Sequence, residues 1–177
     1  MTYTLRDYQQ ACSDSAIRFF NNKSKKNGLL VVPTGAGKSL IISDIASRLD
    51  DNVLVLQPSR EILAQNFAKL QSYGIMDCSI YSASFRRKEI RRITFATIGS
   101  VKSHMEDFNH FKYIIVDEAH VVNSQGGMYK DLFECAERKI LGLTATPYRL
   151  YSARDQYGEP RCILKFLTRT RPRIFSE

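Results

Sequence analysis

The sequence predicts an α/β fold in which a mostly parallel β-sheet is covered by helices on both faces. Short apolar runs alternate along the chain with amphipathic segments, and the runs lack the strict apolar–polar alternation of a half-exposed strand. The clearest runs are residues 53–56 and 113–116. With 177 residues, 44% of them hydrophobic, the chain is long enough for one domain with a sizeable core.

The first half of the chain reads as alternating helices and strands. Apolar residues recur at helical spacing in the first segment, where Asp7 is the candidate cap, and Ser59 is a candidate cap further on. The polar residues 50–52 separate a helix from the next buried strand. In order, the predicted elements are a helix over 3–22, a strand from Gly28, a helix over 40–49 that begins near Lys38, a strand over 53–56 and a helix from Pro58.

The second half continues with short strands. Apolar runs end at turn residues or acidic residues, which is typical of strands whose carboxyl ends reach a ligand site. The predicted elements are a strand and loop within 74–83, a strand over 93–96 ending in a turn at 97–100, a strand over 113–116, a helix over about 128–138 and a strand over 140–143. From Tyr148 onward the periodicity fades, and this part is expected to be a lid, an arm or a connector.

A Gly-rich loop between the first strand and its helix predicts a phosphate site. The glycines allow successive backbone N–H groups to face one point, and the helix adds its positive N-terminal end. The lysine would reach the outer phosphates, and the serine hydroxyl would be available to Mg²⁺. Val32 stands where the strict pattern has a glycine. The loop residues are Pro33, Thr34, Gly35, Ala36, Gly37, Lys38 and Ser39.

Two carboxylates follow the strand at 113–116. A carboxylate directly after an apolar run is costly without a cation, and Mg²⁺ on a triphosphate supplies one. Asp117 and Ser39 could hold this ion from opposite sides, and Glu118 could orient or deprotonate the attacking water. An Asp-Glu pair at a strand end is otherwise a common start of a helix. Together with the phosphate loop, the pair favours ATP hydrolysis with Mg²⁺ as the cofactor.

The net charge of +8 lies in two segments. Residues 86–92 and 148–177 each carry a surplus of +4, and the rest of the chain is balanced. Such segments indicate either a solvated face or a polyanion partner, and the neighbouring nucleotide site favours the polyanion. No apolar run approaches the roughly 20 residues that span a bilayer, and the first residues lack the pattern of a signal peptide. Four widely spaced cysteines predict reduced intracellular thiols rather than a zinc site.

Three motifs together resemble the first RecA-like domain of a superfamily 2 DEAD/DEAH-type helicase. They are the segment from Val32 to Ser39, the run Asp117-Glu118-Ala119-His120 and the run Leu143-Thr144-Ala145-Thr146-Pro147. Their order and spacing match the family over about residues 3–150. The ending Thr146-Pro147-Tyr148-Arg149-Leu150 is most similar to RadD-like repair helicases and phage-encoded relatives.

The resemblance implies roles for further residues. The run Leu5-Arg6-Asp7-Tyr8-Gln9 resembles the family's adenine-recognising element, so Arg6 and Gln9 are candidate ATP-binding residues. Two runs resemble the family's motifs that contact the nucleic-acid backbone. The candidate nucleic-acid-binding residues in these runs are Ser59, Arg60, Thr97 and Gly99. Such contacts position a strand without reading its sequence. One imidazole and two hydroxyl side chains would couple the ATP site to neighbouring motifs: His120, Thr144 and Thr146.

The expected organisation is an N-terminal ATP-binding domain over residues 1–147 and a basic tail or connector over 148–177. Family members carry a second RecA-like domain, so the chain is expected to be a fragment of a longer helicase or translocase. DNA is the expected partner and RNA the alternative, with no membrane partner and a cytoplasmic location in a bacterium or for a phage product. Two rival functions stay open: a small-molecule kinase with a phosphate loop, and the motor subunit of a restriction enzyme.

Overall fold

The structure is a computed structural model, which describes residues 4–24, 26–122, 138–154 and 160–166. The helices are α1 (Asp7–Asn21), α2 (Lys38–Arg48), α3 (Arg60–Ser72) and the short α4 (Ile98–Lys102). The strands are β1 (Gly28–Val31), β2 (Val53–Gln57), β3 (Cys78–Ser82), β4 (Arg87–Lys88), β5 (Ile93–Thr97), β6 (Tyr113–Val116), β7 (Lys139–Thr144), β8 (Tyr148–Arg154) and β9 (Pro160–Phe166).

Seven of these strands form one sheet in the order β1-β7-β6-β2-β5-β3-β4. Every neighbouring pair is parallel except β3 with the edge strand β4, and β8 pairs with β9 in a separate antiparallel hairpin. The carboxyl ends of β1, β2, β5, β6 and β7 therefore meet at one edge of the sheet. The predicted fold class, a mostly parallel sheet, is confirmed.

Each central strand sends alternate side chains to opposite faces of the sheet. In β2, Val53 and Val55 belong to the core under α1, α2 and α3, whereas Leu54 and Leu56 belong to the core on the other face. The second core is closed by α4 and by segments around Phe108. Burial on both faces explains why the strands read as continuous apolar runs, and it confirms the predicted covering of both faces.

Some local predictions differ from the structure. Helix α1 begins at Asp7 rather than being capped by it, and the preceding Arg6 has an extended backbone. Ser59 does cap α3, because its Oγ accepts a hydrogen bond from the backbone N–H of Ile62 at 3.3 Å. The predicted turn at 97–100 is instead the start of α4. The predicted helix over 128–138 lies outside the described residues except for its last position.

Candidate functional site

The loop between β1 and α2 has the backbone geometry of a phosphate cradle. Gly35 and Gly37 have φ angles of 82° and 80°, in the left-handed region that side chains disfavour. A Cβ on Gly37 would also lie 2.5 Å from Nε2 of Gln9, so a side chain at this position would displace the Gln9 amide from the loop. Helix α2 begins directly afterwards at Lys38, and its first N–H groups and positive end therefore face the loop.

The amino-terminal helix packs its Gln9 side chain against this loop. Nε2 of Gln9 donates to the carbonyl oxygen of Ala36 at 2.9 Å, and the hydroxyl of Tyr8 donates to the same oxygen at 3.2 Å. Oε1 of Gln9 accepts a hydrogen bond from the backbone N–H of Arg6 at 2.9 Å. Arg6 and Gln9 thus lie beside the phosphate loop, and the adenine contact expected of them stays a prediction.

Lys38 and Glu118 form an ion pair across the site. Nζ of Lys38 lies 2.5 Å from Oε1 of Glu118, and the two side chains are 16% and 23% exposed. Glu118 has a left-handed backbone with φ of 49°, which is uncommon for a residue with a side chain and turns it off the end of β6. The predicted phosphate-binding cation and the predicted water-activating carboxylate therefore contact each other directly.

Ser39 and Asp117 are joined through one amide side chain, that of Asn66 on α3. Oγ of Ser39 donates to Oδ1 of Asn66 at 2.5 Å, and Nδ2 of Asn66 donates to Oδ2 of Asp117 at 3.1 Å. Asn66 is not among the site residues predicted from the sequence. A signal was present, because position 66 shares a helical face with the buried Leu63, Phe67 and Leu70, and an amide on such a face needs polar partners.

Asp117 lies in an environment that suits a bound cation. It is 3% exposed, and burial together with the negative charge of Glu118 raises its pKa above the ordinary value. Hydrogen bonds from the backbone N–H of Glu118 and from Asn66, and the charge of Lys38, oppose this rise in pKa. A buried carboxylate with a raised pKa gains from a neighbouring positive charge.

The three residues predicted to couple the ATP site to other motifs lie together. Nδ1 of His120 is 3.0 Å from Oγ1 of Thr144 and 3.2 Å from Oε2 of Glu118. Oγ1 of Thr144 also accepts a hydrogen bond from the backbone N–H of Thr146 at 3.1 Å. The carbonyl oxygen of Thr144 accepts from the backbone N–H of Val32 at 2.9 Å, which attaches this group to the start of the phosphate loop.

The candidate nucleic-acid residues lie further along the same edge of the sheet. Gln57 of β2 pairs in register with Thr97 of β5, so the segments that carry Ser59 and Thr97 leave adjacent strands. Oγ1 of Thr97 is 3.0 Å from Oγ of Ser100, and Gly99 in the first turn of α4 is exposed. Arg60 is also exposed.

The basic segment 86–92 divides into two parts. Arg91 and Arg92 have structural partners: Arg91 pairs with Glu89 at 2.7 Å, and Arg92 pairs with Asp77 at 3.0 Å and donates to the carbonyl oxygen of Leu49. The other part, Arg86, Arg87 and Lys88, is exposed, with Nζ of Lys88 3.4 Å from Nε2 of His104, and is here called the basic hairpin.

The basic hairpin adjoins the candidate nucleic-acid residues. The guanidinium of Arg60 lies 4.6 Å from the ring centroid of Phe85, the residue directly before this hairpin. The backbone N–H of Ala83, in the same connection, donates to Oγ of Ser100 at 3.0 Å. These two contacts place the exposed positive charges next to Arg60 and α4.

Other features of the described residues concern membrane spans, metal-ion sites and cysteine reactivity. Within the described ranges, no helix has both the length and the apolar composition of a membrane span, and no three or more His, Cys, Asp or Glu side chains are grouped so that they could hold a metal ion. Cys12 and Cys78 are buried free thiols whose pKa is raised by burial. Burial of this kind is typical of unreactive core cysteines.

Comparison with known proteins identifies relatives over most of the chain. The family model described as "Type III restriction enzyme, res subunit" matches residues 2–149. The DNA 3'-5' translocase XPB2 of Sulfurisphaera tokodaii is 31% identical over 147 residues, which cover 82% of this chain and 31% of that protein. The putative DNA 3'-5' helicase Rad25 of Haloarcula marismortui is 33% identical over 150 residues, which cover 82% of this chain and 23% of the Rad25 protein.

Among solved structures, the UvsW helicase of bacteriophage T4 has a similar fold. The TM-score is 0.65 at 17% sequence identity, and the match covers 82% of this chain and 54% of UvsW. At that identity the likeness concerns the fold alone, and it agrees with the predicted RecA-like fold. The chain spans less than a third of the length of the two curated relatives.

Proposed function

From the premise that the chain belongs to the family of the type III restriction enzyme res subunit, we propose that it is the ATP-binding motor domain of a DNA helicase or translocase. The observation that carries the proposal is the ion pair between Lys38 of the phosphate loop and Glu118 at the end of β6. It joins a cation suited to phosphate with a carboxylate suited to water activation, at the edge of the sheet where α/β folds bind ligands.

The chain's own residues fit ATP and Mg²⁺. Gly37 has a left-handed backbone and lies beside the Gln9 amide, and the helix that begins after it presents N–H groups and a lysine. Ser39 and Asp117 offer a hydroxyl and a carboxylate, the hard oxygen donors that Mg²⁺ prefers. The ion, when bound, neutralises charge on the phosphates. Lys38 would bind the outer phosphates, and Glu118, released from Lys38 by them, would orient the attacking water.

Nucleic acid would lie along the outer part of the same edge. Ser59, Arg60, Thr97 and Gly99 would contact the backbone, and the basic hairpin would extend this surface with positive charge. The proposed partner is DNA, because the relatives XPB2 and Rad25 are described as a DNA translocase and a DNA helicase. RNA is the alternative that a binding comparison would test.

The proposed domain works with further sequence. The curated relatives are more than three times as long as the matched region, and a second RecA-like domain of the same longer chain is the proposed source of the groups that close the ATP site. The division into a domain over 1–147 and a connector over 148–177, the RadD-like affinity and the cytoplasmic setting in a bacterial cell stay predictions.

A restriction-enzyme motor is a second candidate function, which the description of the matching family favours. Such a motor would use the same ATP and DNA contacts, so the two candidates differ in the domains attached to this one. A small-molecule kinase is disfavoured, because the basic hairpin and the surface around Arg60 would then have no polyanion to bind.

The test is ATP hydrolysis by the chain with and without DNA. The proposal predicts that DNA raises the rate, and that Glu118→Gln lowers both rates while the protein stays folded. Glu106→Gln, which removes an exposed carboxylate from the segment between α4 and β6, is the matched control. A rate that is unchanged by single- or double-stranded DNA but rises with a small phosphate acceptor would favour a kinase instead.

A further inference from the structure

Asn66 is a buried residue at the candidate site that none of the recognised motifs includes. It is 6% exposed on the inner face of α3, and its carboxamide contacts both residues proposed to hold Mg²⁺. Those residues come from different elements, since Ser39 lies in the first turn of α2 and Asp117 follows β6. A single side chain therefore joins two parts of the site that are far apart in the sequence.

The chemistry of the three groups fixes which end of the amide faces which partner. An ionised carboxylate only accepts hydrogen bonds, so the NH₂ group of Asn66 must face Asp117. The amide oxygen is then left for Ser39, whose hydroxyl must donate its proton to it. The hydroxyl proton therefore points at Asn66 and the hydroxyl lone pairs point elsewhere. A hydroxyl binds a cation through its lone pairs, so this orientation is the one that a metal ligand needs.

Asp117 is oriented in the same way by two donors. Its Oδ2 accepts from Asn66 at 3.1 Å, and its Oδ1 accepts from the backbone N–H of Glu118 at 2.9 Å. Each oxygen keeps further lone-pair capacity, because a carboxylate has about four acceptor sites. The carboxylate is thus held in one rotamer while it can still bind a cation or the water of a hydrated cation.

We propose that Asn66 is a positioning residue for the metal–nucleotide complex: it orients the Ser39 hydroxyl and the Asp117 carboxylate so that both present oxygen lone pairs to Mg²⁺ bound with ATP. The inference rests on the proposed function. Partners that orient metal ligands typically contribute about 10- to 100-fold to metal affinity or activity. The contribution of Asn66 belongs to the part of nucleotide affinity that depends on Mg²⁺.

The competing explanation is that Asn66 only satisfies polar groups in the core. In that case its loss would lower the stability of the domain, and it would weaken nucleotide binding equally with and without Mg²⁺. The ratio of the nucleotide dissociation constants measured in EDTA and in saturating Mg²⁺ separates the two, because the ratio cancels losses common to both conditions.

The experiment titrates a fluorescent ATP analogue into the wild-type chain and into Asn66→Ala and Asn66→Leu, once with EDTA and once with saturating Mg²⁺. Leucine has the same branched arrangement of side-chain heavy atoms as asparagine but no polar group, whereas alanine leaves space that water can enter. Gln71→Ala removes an exposed amide from the same helix and is the control. Thermal unfolding without nucleotide checks that each variant is folded.

The expected result is that the ratio falls about 10-fold or more in both Asn66 variants and stays at the wild-type value in Gln71→Ala. A folded Asn66 variant with the wild-type ratio would overturn the proposal, and so would loss of folding in both variants, which would assign Asn66 to the core. A wild-type protein that binds the analogue equally well in EDTA and in Mg²⁺ would instead overturn the proposed function, and this inference with it.

Discussion

The ion pair between Lys38 and Glu118 makes a prediction about nucleotide affinity. Phosphate oxygens must replace Glu118 as the partner of Lys38, so the pair competes with ATP. Glu118→Gln removes the competing charge and preserves the shape of the side chain. We therefore expect this variant to bind ATP more tightly than the wild type, although it hydrolyses ATP more slowly.

The size of the effect follows from the burial of the pair. Exposed ion pairs contribute about 0.2–1 kcal/mol, and this pair, with side chains 16% and 23% exposed, lies at or somewhat above the upper end of that range. A gain of about 1 kcal/mol corresponds to roughly fivefold tighter binding. Loss of a general base typically costs about 10²–10⁴-fold in rate.

The assay is fluorescence titration with an ATP analogue in Mg²⁺, followed by single-turnover hydrolysis on the same protein. Glu106→Gln controls for the change in net charge, because Glu106 is an exposed carboxylate in the segment between α4 and β6. Unchanged or weaker ATP binding by Glu118→Gln would refute the reasoning that Glu118 occupies the phosphate-binding lysine. A normal hydrolysis rate would refute its assignment to the water.

Three other predictions concern stability, DNA and turnover. Because burial raises the pKa of Asp117, its charged form destabilises the nucleotide-free fold as the pH rises above the ordinary Asp pKa of about 4. Asp117→Asn should therefore have a higher melting temperature than the wild type near neutral pH, and the difference in melting temperature should shrink in acid. Equal melting temperatures at all pH values would contradict this. Replacing Arg86, Arg87 and Lys88 with Gln should weaken binding to single-stranded DNA and flatten the log–log salt dependence of that binding by about 0.7 per lost phosphate contact. The control Arg92→Gln should mainly lower the melting temperature, because it breaks the pair with Asp77. If fluorescence anisotropy shows an unchanged slope, the basic hairpin is only a solvated face. The chain alone should hydrolyse ATP slowly, since an arginine finger contributes about 10³–10⁵-fold in related chemistry and no motif of this chain supplies one; a steady-state rate equal to that of a longer protein that includes the following domain would contradict this.

The sheet and the phosphate loop could be predicted because their signals are local. Buried parallel strands read as short apolar runs, and β2 and β6 match the predicted runs at 53–56 and 113–116 closely. The strand, Gly-rich loop and helix around Lys38 follow one another in the chain, so no long-range information was needed. The structure also brings the separate motifs at Asp117 and Thr144 to the same edge, as expected for neighbouring parallel strands.

Features that depend on packing were missed. Asn66 acquires its contacts only when α3 packs beside Ser39 and the end of β6, and no local spacing encodes that arrangement. The start of α1 was misassigned because Gln9 reaches back to Arg6 while it contacts the phosphate loop, a tertiary contact that a capping rule does not include. Strand β4 contains only Arg87 and Lys88, and its exposed charges are typical of a protected sheet edge rather than of a strand core.

The most direct test of the central claim is calorimetric titration of ATP·Mg²⁺ into the wild-type chain, into Lys38→Ala and into Lys69→Ala, which removes an exposed lysine from α3. If the loop binds phosphates, Lys38→Ala loses a charge-assisted contact of about 1.5–3 kcal/mol, or more where it is desolvated. The dissociation constant should therefore rise about 10- to 100-fold or more, while the variant stays folded and Lys69→Ala keeps the wild-type affinity. Equal affinity of the wild type and Lys38→Ala would contradict the claim, because the loop would then not hold the phosphates of ATP.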